Sequence, residues 1–190
     1  RRTQRLPVHP TTLVIFGATG DLCHRKLLPA IYNLAHEGQL PERFNLIGTS
    51  RMEMSDEKFR KEFEGSVRKF SRRAPDDKVL AALLQNVRYV TGSFDDPDVY
   101  TKLGSTLKEF DEAAGQTLNR CFYLSTAPMF FPVIVGQLGE AKLARDPHAE
   151  IRVVIEKPFG TTLAKAEALN KEVLSVFKED QVFRIDHYLG

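Results

Sequence analysis

The chain has 190 residues, of which 42% are hydrophobic and 27% charged, and its net charge is +2. That length suits one domain with its own core, and the composition is that of an ordinary globular protein. So small a charge excludes a nucleic-acid surface, no apolar run approaches the ~20 residues of a membrane span, and no secretory signal is visible. The basic cluster Arg68-Lys69-Phe70-Ser71-Arg72-Arg73 reads as a solvated helix end. Cys23 and Cys121 lack metal-ligand spacing and lie in stretches expected to be buried. They read as free packing thiols of a reducing compartment, with the cytoplasm as the default location.

Residues 1–10 are polar, broken by proline, and read as a loose segment ahead of one domain over 11–190. The short apolar run 13–16 has the pattern of a strand buried on both faces. Gly17-Ala18-Thr19-Gly20 then turns the chain, and Leu22, Leu27, Leu28, Ile31 and Leu34 recur at helical spacing, with Asp21 or Thr19 placed to cap the helix. Gly38 and Pro41 break it, and 44–50 reads as a second strand. Helices are expected over 55–70, where Phe59, Phe63, Val67 and Phe70 form one stripe, and over 76–85. A third strand is expected at 87–91, a helix at 97–113, a fourth strand at 120–125 and a helix over about 130–143 after Pro128. Strand 151–156, helix 161–177 and strand 181–186 complete the chain, with no internal repeat.

Six apolar strands alternating with helical segments imply a Rossmann-type, doubly wound parallel sheet with helices on both faces and right-handed crossovers. Such a sheet binds ligands beyond the carboxyl ends of its strands, where the strand order reverses. The unusual residues fall at those ends: Gly17–Asp21, Thr49-Ser50-Arg51, Ser125–Pro128, Lys157-Pro158 and Asp186-His187-Tyr188. A buried strand, a glycine turn and a helix start together suit a phosphate, because backbone N–H groups and the helix dipole face it. The spacing is Gly-x-x-Gly with Cys23 where a third glycine would stand, so a tight turn without a ligand remains the other reading.

The end of the second strand bears on which dinucleotide is bound. NAD sites usually carry an acid there for the ribose hydroxyls. Gly48-Thr49-Ser50-Arg51 has none; it has a guanidinium, which matches a phosphate, and two hydroxyls. NADP is therefore expected. Lys157, between Glu156 and Pro158 after a buried strand, is either a donor held over a substrate oxygen or an exposed turn residue. The adjacent Asp186 and His187 suit proton transfer, with Asp186 orienting a base or His187 acting as base or phosphate donor.

Gly17-Ala18-Thr19-Gly20-Asp21-Leu22, Glu156-Lys157-Pro158-Phe159-Gly160 and Arg184-Ile185-Asp186-His187-Tyr188-Leu189-Gly190, in this order and spacing, resemble the glucose-6-phosphate 1-dehydrogenase family from about Thr11 onward. The resemblance implies oxidation of glucose 6-phosphate at C1 to the lactone, with hydride passed to NADP, as the first step of the pentose phosphate pathway. It also implies that Gly17, Ala18, Thr19, Gly20, Asp21, Leu22 and Arg51 line the nucleotide, with Ala127 and Pro128 near the nicotinamide. Lys26 would sit between cofactor and substrate, Lys157 at both, and His187 and Tyr188 on the sugar phosphate. Asp186 would orient a histidine base that in the family lies further on, in a large α+β domain through which the full-length protein forms a homo-oligomer. The chain stops at Gly190, so by this resemblance it is less than half a subunit, expected to bind cofactor without turning over substrate.

Cys23 and His24 replace a common alanine and lysine, which are small changes for a cofactor site. Two alternatives stand beside this reading: a dinucleotide-binding module without catalysis, and an enzyme of the glucose-fructose oxidoreductase type, which also places Glu-Lys-Pro after a Rossmann strand. The run Asp186–Gly190 argues against the latter.

Overall fold

A computed structural model describes residues 9–156 and 162–185. Its centre is β1 (Thr11–Phe16), whose Val14, Ile15 and Phe16 are wholly buried. β2 (Phe44–Ser50) and β4 (Asn119–Leu124) flank β1 on either side, both parallel to it, with Phe16 level with Thr49 and Leu124. β3 (Val87–Thr91) extends one half of the sheet, while β5 (Ile151–Glu156) and β6 (Val182–Ile185) extend the other. The order is β3-β2-β1-β4-β5-β6, all parallel, as expected for a doubly wound sheet. The reversal lies between β1 and β4, and the clefts of such folds open there.

Successive side chains of a strand point to opposite faces, so β1 feeds two cores. Ile15 packs with α1 (Leu28–His36), α2 (Asp56–Phe70) and α3 (Asp77–Leu84) on one face. Val14 and Phe16 pack with α4 (Pro97–Ala114), α5 (Phe131–Glu140) and α6 (Leu163–Val176) on the other. Of the α2 stripe foreseen from its spacing, Phe59, Phe63 and Val67 are wholly buried, while Phe70 in the last turn is only half-buried. Each such side chain contributes roughly 1.5–3 kcal/mol by leaving water. Ser55, Asp76, Asp96 and Thr162 each accept a backbone N–H at the start of α2, α3, α4 and α6.

Several boundaries differ from expectation for local reasons. The first helix begins as a π-helical turn over Cys23–Leu27, in which the Leu28 N–H reaches the Cys23 carbonyl. Pro29 follows at the start of α1 and has no N–H to close an α-helical bond back to Arg25, so the preceding turn widens. The helix expected to reach 143 stops at Glu140, where Lys142 turns left-handed at φ 60° and the Leu143 N–H caps the Leu138 carbonyl. Gln181, expected in the last strand, instead lies in a 3₁₀ turn, its amide donating to the Ala144 and Ile151 carbonyls. Cys121, expected to be buried, is only partly so, whereas Cys23 is buried; both are free.

Candidate functional site

A cleft of about 840 Å³ opens at the carboxyl ends of β1, β2, β4 and β5. Gly17, at φ +87°, starts its inner wall, where a Cβ would overlap the Ser125 carbonyl oxygen at the end of β4. Only glycine therefore lets the turn pass so close to the neighbouring strand. The N–H groups of Gly17 and Ala18 both donate to the Thr49 carbonyl, at 2.9 and 3.2 Å, clipping the turn to β2. Gly20 closes the turn by donating to Gly17, and the helical stretch opens at Asp21.

Neither expected cap is used. The Thr19 hydroxyl donates to the Ser50 hydroxyl at 2.9 Å, and the Asp21 carboxylate accepts from Arg25 one turn on. The start of the helical stretch thus has no side-chain cap, and Gly20, Asp21 and Leu22 border the cleft there. Helix starts left in this way favour an anion.

Arg51 lines the cleft at the end of β2, exposed, with no hydrogen bond or ion pair to any described residue. The two hydroxyls beside it do not act as expected. Thr49 is wholly buried on the sheet, and the Ser50 hydroxyl is engaged by Thr19, by Tyr89 at 2.7 Å and by the Met52 N–H at 3.1 Å. A strand's alternation turned Thr49 inward, and protein partners saturate Ser50. The guanidinium is left as the cation of this wall.

Toward β4 and β5 the cleft is bordered by Ser125, Thr126, Ala127, Pro128 and the buried Glu156. The Tyr123 hydroxyl donates to the Glu156 carboxylate at 2.9 Å; burial, and then the charge of Glu156, hold that phenol well above its ordinary range. Cys23 lies buried beside this region, its thiol pushed up to about 12 by burial and then by Glu156. It is a packing group, not a nucleophile.

Of the residues singled out in the sequence, Gly17, Thr19, Gly20, Asp21, Leu22, Arg51, Ala127 and Pro128 share this one cleft. Ala18 does not line it: its methyl is buried under Gly48 and its N–H is spent on Thr49. Lys26 is exposed on the π-helical turn, outside the lining. His24 turns away from the cleft, its Nδ1 paired with Ser66 of α2 at 2.5 Å. Lys157, Asp186, His187 and Tyr188 lie outside the described residues.

The structure adds Phe94 and Phe130, whose rings meet edge to face at 5.6 Å on the cleft wall, together with Met52. Phe94 sits three residues beyond β3, at a strand end like the others, and that rule applied to β3 would have found it. Among the described residues no cluster of His, Cys, Asp or Glu could hold a metal ion, and no helix is long and apolar enough to cross a membrane.

Comparison with known proteins shows the family. The family model described as glucose-6-phosphate dehydrogenase, NAD binding domain, matches residues 14–190. A glucose-6-phosphate 1-dehydrogenase 2 of Mycobacterium bovis is 44% identical over all of this chain, which spans 38% of that protein. A glucose-6-phosphate 1-dehydrogenase of Chlamydia pneumoniae is 43% identical over 95% of the chain and 36% of its own length. A solved structure described as glucose-6-phosphate dehydrogenase in complex with its substrate glucose-6-phosphate superposes with a TM-score of 0.85 at 33% identity, covering 98% of this chain and 38% of that one.

Proposed function

The chain belongs to the glucose-6-phosphate dehydrogenase family, as its NAD-binding domain, and on that premise we propose that it holds NADP in the β1–β4 cleft while the whole protein oxidises glucose 6-phosphate at C1 to the lactone. The observation that carries the cofactor reading is the Arg51 guanidinium, unpaired among the described residues, in one cleft with an uncapped helix start and a glycine turn. A dinucleotide fits this lining. Its pyrophosphate suits the turn at Gly17–Leu22, and the extra phosphate of NADP suits the planar donor fork of Arg51.

The cofactor supplies the hydride acceptor, and the protein supplies position and charge. Gly17 lets the backbone approach closely, and Ala127 and Pro128 border the part of the cleft assigned to the nicotinamide. Tyr123 fixes the Glu156 carboxylate at the end of β5, immediately before Lys157. By family resemblance, Lys157 holds substrate hydroxyls, His187 and Tyr188 hold the sugar phosphate, and Asp186 orients the histidine base that accepts the C1 hydroxyl proton. That base belongs to the remaining length of a relative's chain, so residues 1–190 form the cofactor half of the site. The same reading makes the whole protein a cytoplasmic homo-oligomer and the entry enzyme of the pentose phosphate pathway.

The test is cofactor titration of wild type and Arg51→Ala. Losing one charge-assisted phosphate contact costs about 1.5–3 kcal/mol, so NADP binding should weaken roughly 10- to 150-fold while NAD binding is unchanged. Equal weakening of both would remove Arg51 as the discriminator.

A further inference from the structure

An exposed arginine discriminates between ligands only if its backbone is fixed, and Arg51 lies just past the end of β2, outside the sheet ladder. The polar atoms on either side of it are all engaged. The Ser50 carbonyl accepts from the Gly92 N–H at 2.9 Å, the Met52 N–H donates to the Ser50 hydroxyl at 3.1 Å, and the Met52 carbonyl accepts from the Tyr89 hydroxyl at 2.5 Å. Tyr89 reaches this point from β3 and is nearly buried, its ring packed on Phe59 with centroids 5.1 Å apart.

The protons of this cluster have one consistent arrangement. Carbonyls only accept, and the Tyr89 hydroxyl faces two of them, Met52 at 2.5 Å and Ser50 at 3.3 Å, so its single proton goes to the main chain, chiefly to the nearer Met52. The Ser50 hydroxyl, 2.7 Å from the Tyr89 oxygen, must therefore donate to it. Ser50 then accepts from Thr19 at 2.9 Å. The result is a one-directional chain, Thr19 to Ser50 to Tyr89 to the Met52 carbonyl, running from the glycine turn to the far side of Arg51. Hydrogen bonds in such a chain polarise and support one another, and a partly buried setting makes each costlier to lose. It also leaves the Thr19 oxygen with only lone pairs for the cleft.

We propose that this hydroxyl chain positions Arg51, and that Tyr89, which does not line the cleft, is a specificity-determining residue for the 2′-phosphate of the cofactor. The inference rests on the assignment of Arg51 given above. Tyr89 acts through the loop and touches no ligand, so it is a positioning residue. Its removal should read out on ligands that carry the 2′-phosphate and not on those that lack it.

Calorimetric titration of the full-length protein with adenosine 2′,5′-bisphosphate and with 5′-ADP tests this in wild type, Tyr89→Phe, Ser50→Ala and Arg51→Ala. Tyr89→Phe keeps the ring on Phe59 and deletes the hydroxyl. We expect it to weaken the 2′,5′-bisphosphate about tenfold, the scale of one well-placed hydrogen bond, and to leave 5′-ADP within about twofold. Ser50→Ala breaks the same chain one link earlier and should show the same selective loss, which keeps the test decisive if Tyr89→Phe folds poorly. In an Arg51→Ala background, Tyr89→Phe should add nothing for either probe, because the group it positions is gone. Equal loss of both probes in Tyr89→Phe, or no loss beside a selective loss in Arg51→Ala, would overturn the inference and leave the Arg51 assignment intact. Equal loss of both probes in Arg51→Ala would overturn that assignment instead.

Discussion

Three glycines of this chain separate backbone strain from steric clash, and comparing them tests the geometry of the turn at the cleft. Gly65 lies exposed inside α2 with nothing within 4 Å of the point a Cβ would occupy, so Gly65→Ala should stabilise by about 0.5–1 kcal/mol through helix propensity. Gly115 ends α4 at φ +72°, also in open space. Alanine there meets only the left-handed penalty, about 1–2 kcal/mol. Gly17 carries both burdens: φ +87°, and a Cβ that would overlap the Ser125 carbonyl oxygen and lie 2.9 Å from the Thr126 methyl. Relief requires backbone movement, because the obstacle is the main-chain oxygen of Ser125, whose N–H donates to the Phe16 carbonyl at 2.9 Å. Adding a weakened backbone hydrogen bond of about 1 kcal/mol to the dihedral penalty gives about 2–3 kcal/mol for Gly17→Ala. At roughly 2–4 °C per kcal/mol for a chain of this size, Tm should rise slightly for Gly65→Ala, fall a few degrees for Gly115→Ala and fall furthest for Gly17→Ala. Dinucleotide titration of the folded Gly17→Ala protein should also show weakened binding. If Gly17→Ala costs no more than Gly115→Ala, the close approach of turn and β4 is wrong.

Two further outcomes concern buried charge. Asp111 accepts from Arg120 at 2.7 Å and from the Leu118 N–H at 3.0 Å, and both side chains of the ion pair are largely buried, so Asp111→Ala strands a guanidinium and should cost about 3 kcal/mol in urea denaturation; a cost below about 1 kcal/mol would show the pair is hydrated. For Cys23, the folded thiol is pushed up to about 12 from an ordinary 9.0, so its effect is absent below pH 9; above it the unfolded chain ionises first and stability falls by up to about 1.4 kcal/mol per pH unit. The stability gap between wild type and Cys23→Ala should therefore shift by about 1.4 kcal/mol in favour of alanine between pH 8 and 10, and a constant gap would rule out this source of alkaline instability.

The strands were legible because strands buried on both faces carry nearly unbroken apolar runs, and 13–16, 44–50, 87–91, 120–125 and 151–156 each fall within one or two residues of an observed strand. Gly38 acted locally, turning left-handed just past the first helix, so its position could be read locally. The π-helical turn could not be read from apolar spacing, since the stripe Leu27, Leu28, Ile31 persists through it. Its cause, the missing N–H of Pro29, is visible in the sequence only as a local defect whose repair the rest of the fold decides.

The site divides along the same line. Strand ends gave Gly17, Thr19–Leu22, Arg51 and Ala127-Pro128 because a parallel sheet sends every carboxyl end to one edge, whatever the lateral order of strands. The hydroxyls were harder to read. Thr49 shares the alternation of Ile47, which is wholly buried in the core, so its inward direction was available from period two alone. Ser50 was not readable in this way, because its controlling partner Tyr89 stands 39 positions later and reaches it only once β3 lies beside β2. A polar side chain at a site's edge is readily counted as a donor to the ligand. Here the protons of Thr19, Ser50 and Tyr89 run inward to a main-chain carbonyl, so the donors of this wall are the backbone at the helix start and the guanidinium of Arg51. Specificity at such a wall depends less on how many polar residues line it than on which of them the fold has already engaged.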